Sequence, residues 1–158
     1  VVPVILRFLK KTWIKLSIFD IILYSIYFFT MTNVMDLIGR IFISALFLIS
    51  AFNKIFNLEG SMGWMEGFGV PGFLIFPAIA VEIILPVLVI VGFQARIAAG
   101  ILAIFCVLTA FLFHFDFSNQ AQFISFLKNI GLAGGFLFIV ANGTKDWAVD
   151  KEKKYVRL

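Results

Sequence analysis

Four stretches of the chain are apolar for long enough to cross a bilayer, and short polar breaks separate them. The clearest is 72–92, GFLIFPAIAVEIILPVLVIVG, an aliphatic run interrupted by one carboxylate, Glu82, and one proline, Pro86. As a helix rising 1.5 Å per residue it reaches about 30 Å, the thickness of the hydrocarbon core. The other spans fall at about 37–56, 95–115 and 123–141. Gly92-Phe93-Gln94 is so tight a link that it makes the second and third spans antiparallel neighbours. The pattern predicts an all-α fold, an integral membrane four-helix bundle. The segment 57–71, NLEGSMGWMEGFGVP, is too aromatic for a freely solvated loop. It reads as a short interfacial segment with Trp64 at headgroup level.

Composition strengthens this picture. Of 158 residues, 62% are hydrophobic and 14% charged, where soluble domains average about half and about a quarter. No length remains for a soluble catalytic domain once the spans are removed. The net charge of +4 gathers at span ends and in tails, which speaks for membrane topology and against a nucleic-acid partner. Segments 57–71 and 116–122 carry no Lys or Arg, whereas Arg96 flanks the second turn and the tail carries Lys145, Lys151, Lys153, Lys154 and Arg157. Both termini are therefore expected in the cytoplasm, with 142–158 as a basic tail. Residues 1–30 place Arg7, Lys10, Lys11 and Lys15 before an apolar run, 16–29, that Asp20 interrupts. This mimics a signal peptide but lacks its small-residue cleavage site. We expect 1–30 to be an extension outside the functional unit, upstream-encoded or an interfacial helix, with Met31 as a native start and 31–141 as the membrane domain. The alternative, a fifth span, puts the basic patch on the outer side, against the rule.

The candidate chemistry lies inside the spans. A charge at mid-membrane costs about 2.5–3.5 kcal/mol on insertion scales, so Glu82 calls for a partner. Pro86 removes the helical hydrogen bond to the Glu82 carbonyl, leaving a second acceptor beside the carboxylate. In span one, Arg40, Ser44, Phe47, Ala51 and Lys54 step by four and three onto one face. Arg40 and Lys54 lie about 21 Å apart along the axis, toward opposite surfaces. In span three, Ala99, Ala103, Cys106 and Ala110 form a small-residue stripe ending at His114. In span four, Lys128 shares a face with the close-packing pair Gly131 and Gly135, and Asn129 adjoins it. The expected site is a cluster of Glu82, Lys128, His114, Lys54 and Asn129, with Lys128 leaning in as the partner of Glu82. Arg40 and Arg96 read as snorkelling topology anchors. The competing reading is that these groups only fix helix register. One cysteine and one histidine make no intrachain disulfide, no redox thiol pair, no bis-histidine haem and no metal site. An electron carrier, if there is one, comes from elsewhere.

The residues also resemble a known family. Arg40 is followed by SAFNKI (50–55), GVPG (69–72), the Glu82-centred span, GFQAR (92–96), TAFLFH (109–114) and FLKNIGLAGGFL (126–137). In this order they resemble the DoxX family of small four-helix bacterial inner-membrane proteins, over about 36–150. The family's recurrent polar positions correspond to Arg40, Lys54, Glu82, Arg96, His114, Lys128 and Asn129. Its name comes from a subunit of an archaeal quinol oxidase, and relatives join membrane oxidoreductase complexes. The resemblance thus implies an inner-membrane accessory subunit that interacts with quinone, holds no covalent cofactor and works with oxidoreductase partners or as a homo-oligomer. Two other classes stay open: a small oligomeric transporter or proton-linked permeation unit, and a purely structural assembly protein.

Overall fold

A computed structural model describes residues 18–150. The basic patch Arg7, Lys10, Lys11 and Lys15 and the tail cations from Lys151 onward lie outside the described residues. The helices are α1 (Ile18–Phe56), α2 (Leu58–Gly67), α3 (Ile75–Val91), α4 (Ala95–Phe113) and α5 (Gln120–Asn142), with a 3-10 turn, Gly72–Leu74, leading into α3. Among the described residues, four helical stretches are long and apolar enough to cross a membrane: Ile18–Phe56, Gly72–Val91, Ala95–Phe113 and Gln120–Asn142.

The chain divides into two compact units, Val1–Val34 and Met35–Leu158. In the described part of the first, side chains 18–31 are exposed and mostly apolar. Helix α1 passes the boundary expected at residue 30 without interruption.

The second unit is the bundle. Phe47 of α1, Val89 of α3, Ala99, Leu102 and Cys106 of α4, and Ala133 and Phe136 of α5 close its core. The small residues of α4 let its neighbours approach, and Ala99, Cys106 and Ala110 are wholly buried. Phe47 meets Phe136 edge to face at 5.4 Å. Of the predicted glycine pair, Gly135 faces the Ile43 side chain so closely that a Cβ there would collide with it, whereas Gly131 has open space. Only half of that motif packs helices.

Segment 57–71 is more ordered than its glycines suggest. Asn57 N–H donates to Asn53 O at 3.1 Å and Ser61 N–H to Asn57 O at 3.0 Å, so helical bonding carries through into α2. Packing outweighs weak helix propensity here: Trp64 lies against Phe68 and Phe113, each at 4.8 Å between ring centres. Before α5, Asn119 Oδ1 accepts from Ala121 N and Gln122 N, a side-chain N-cap. In the same loop the Ser118 hydroxyl, and then its N–H, hold the exposed Asp116 carboxyl below its ordinary range.

The far end of α3 shows how the bundle satisfies backbone groups that lack water. Gly92 ends the helix with φ 72°, and Leu88 O accepts from Gly92 N and Phe93 N. Arg40 takes the next two carbonyls, Val89 O at 3.2 Å and Ile90 O at 2.6 Å. Val91 O and Gly92 O accept from Val149 N and Asp150 N. Arg40 also donates to Trp147 O at 2.6 Å and pairs with Asp36 at 3.0 Å. The last carbonyls of α3, orphaned by helix geometry, are thus all occupied. Arg40 is 1% exposed. It does not snorkel, because the negative end of α3 offers it more acceptors inward than the surface would. By these bonds, and by Lys145 N–H donating to Asp36 Oδ2 at 3.1 Å, residues 145–150 are docked to the bundle and are not a free tail. Arg96 is exposed, beside the turn.

Candidate functional site

The site begins on α1. Ser50 and Lys54 are one turn apart, so their side chains lie together on the face that also buries Phe47 and Ala51. Across from them, α3 presents Glu82, 5% exposed. Lys54 Nζ lies 2.8 Å from both carboxylate oxygens of Glu82 and donates to Ser50 Oγ at 2.6 Å. Ser50 Oγ is 3.5 Å from Glu82 Oε1. The partner of Glu82 is therefore Lys54 and not Lys128. The reason is geometric. Lys54 is near the bundle end, but its four-carbon stem runs inward along α1 and reaches the carboxylate directly. Its side chain keeps 26% exposure against 6% for Glu82, so the pair is open on the lysine side.

That open side is the wall of a cleft of about 1170 Å³. Helices α1, α2, α3, α4 and α5 all contribute to it. Lys54, Glu82, His114, Lys128 and Asn129 line the same cleft. The residues expected to cluster thus line one cleft, but Glu82 pairs with Lys54 where Lys128 was expected. His114 Nδ1 is 2.7 Å from Gln122 Oε1. At that distance an Nδ1–H donates to the Gln122 side-chain oxygen and ties the ring to α5. Asn129 bridges helices: its Oδ1 accepts from Thr109 Oγ1 at 3.3 Å, and its Nδ2 donates to Ser125 O at 3.0 Å.

Sequence reading missed Trp64, Thr109 and Ser125 as cleft residues. Trp64 sits 6.2 Å from His114 between ring centres; the sequence placed it at headgroup level in an interfacial segment, with no sign that Phe113 and His114 lie against it. Thr109 and Ser125 carried no signal, since hydroxyls are common in spans. Pro86 is buried one turn beyond Glu82, with the Glu82 carbonyl facing the position where proline has no N–H. Chemically, the cleft offers an ammonium donor, a carboxylate acceptor, an imidazole and an amide around apolar walls. Among the described residues no group of three or more His, Cys, Asp or Glu side chains is placed to hold a metal ion.

Comparison with known proteins gives a family match and two relatives. The family model described as DoxX matches residues 35–115. Inner membrane protein YqjF of Escherichia coli (strain K12) is 35% identical over 115 residues, covering 73% of this chain and 88% of that protein. Inner membrane protein YphA of the same organism is 30% identical over 125 residues, 75% of this chain and 89% of its own length. No solved structure matches.

Proposed function

This chain belongs to the DoxX family and is an integral inner-membrane protein, and from that premise we propose that its cleft binds a quinone-class ligand as an accessory subunit of a membrane oxidoreductase system. The observation that carries the reading is the Lys54–Glu82 pair set in the wall of an apolar cleft and open on one side. A pair serving only as packing glue has no need of a cleft beside it. Aromatic Trp64 and Phe113 and aliphatic Leu46, Leu74 and Leu112 suit a flat ring system. The Lys54 ammonium donates to a quinone carbonyl. The Glu82 carboxylate accepts from the hydroxyl that replaces that carbonyl in the reduced form. In this reading the electrons come from a partner oxidoreductase.

Trp64 supplies the readout. In protein whose Trp13 and Trp147 are replaced by Phe, a short-chain ubiquinone should quench Trp64 saturably. Lys54→Met and Glu82→Gln should each weaken that binding about tenfold or more, the worth of a hydrogen bond to a charged group. Quenching that does not saturate, or that both variants leave unchanged, contradicts the reading. A transporter is the second reading, favoured by the broken helical bonding at Pro86 beside an in-membrane carboxylate. Flux into liposomes that needs Glu82 would establish it instead.

A further inference from the structure

Charge around the cleft is not balanced. Lys54 is neutralised by Glu82 at 2.8 Å. Lys128, on the α5 wall of the same cleft, has no carboxylate within salt-bridge distance among the described residues. Among the described residues, Glu82 is the one carboxylate that lines the cleft. Of α2, Gly60, Ser61, Trp64 and Met65 line the cleft, and Glu59 and Glu66 do not. Glu66 lies instead against Gly72, where its carboxylate would collide with any added Cβ. Asn129, beside Lys128, spends its amide on Ser125 and Thr109. An ammonium within an apolar span costs free energy unless something anionic meets it.

Building on the quinone-class reading, we infer that the cleft selects a ligand in its anionic form. The ligand has an apolar body and an acidic oxygen, a ring hydroxyl or a carboxylate, that pairs with Lys128, while the Lys54–Glu82 pair meets a neutral polar group. Lys128 is then a specificity-determining residue. Its side chain is exposed and makes no hydrogen bond or salt bridge among the described residues that its replacement would break.

Two matched probes test this: a 2-hydroxy-3-alkyl-1,4-naphthoquinone, ionised at neutral pH, and its 2-methoxy counterpart, which cannot ionise. Both are read by Trp64 quenching in nanodiscs, in full-length protein whose Trp13 and Trp147 are replaced by Phe, taken as the reference chain. The ionised compound should bind about tenfold or more tightly than the ether, as a charge-assisted bond predicts. Lys128→Met should abolish that preference without weakening the ether, and Lys128→Arg should keep it. Equal binding of both probes to the native protein, or equal weakening of both by Lys128→Met, overturns the inference and leaves the quinone reading intact. If neither quinone binds, the quinone reading fails, and dodecanoate decides what is left. Binding lost in Lys128→Met supports the anionic head on its own, and no binding overturns that as well.

Discussion

Removing the ammonium of Lys54 leaves the Glu82 carboxylate with Ser50 as its remaining polar contact. Loss of one partner of a buried pair costs about 3–5 kcal/mol, and the partial exposure of Lys54 puts this case near the lower end of that range. Lys54→Met should therefore lower the melting temperature in detergent more than Lys54→Met with Glu82→Met does, because the double change removes the stranded charge. Strictly additive losses would mean that the two groups are not coupled. Arg40 offers a second case. Arg40→Met abandons Asp36 and three carbonyls at once, and should be among the most damaging single changes in the chain, measured again as melting. A near-neutral result would mean that the cap on α3 is not formed. Both residues were visible in the sequence as charges out of place in a span. Their partners were not visible, because spacing along one helix fixes which residues share a face but not which neighbour that face meets.

At the scale of helices, the ends of the apolar runs were legible and the linkers were not. Helix α3 with its leading 3-10 turn, and helix α4, fall within about two residues of the expected spans, because runs of aliphatic residues closed by Gly92-Phe93-Gln94 leave little choice. The stretch now seen as α2 was obscured by its glycines, whose low propensity says nothing about the rings of Phe113 and His114 waiting across the bundle. The glycines of α5 separate motif from packing. Gly135→Ala should destabilise, by about 1–3 kcal/mol as overpacking does, since Ile43 must shift. Gly131→Ala, facing open cleft, should be neutral or stabilise by up to about 1 kcal/mol through helix propensity. Chemical or thermal unfolding of the two variants side by side checks this, and the reverse order would mean that the α1–α5 contact is wrongly placed.

For the molecule as a whole, membrane residence follows from what is left uncovered. Large apolar side chains such as Phe42, Leu46, Ile97, Ile104, Leu108 and Phe138 stay exposed along the spans, and only acyl chains satisfy so much continuous apolar surface. That conclusion needed only the composition. The site needed the fold: Lys54, Glu82 and Lys128 come from three separate helices and His114 from the C-cap of a fourth, and no local pattern says that they surround one cleft. The same dispersal explains why Lys128 looked like the partner of Glu82, being the in-span cation most deeply placed along its own helix. The measurement that bears most directly on the account is native mass spectrometry of the protein released from lipid nanodiscs, run on the native chain and on Lys54→Met with Glu82→Met. The account predicts a bound small molecule of quinone-class mass on the native chain that is absent from the double variant at unchanged subunit number. A native chain that carries only phospholipid, indistinguishable from the variant, would contradict it.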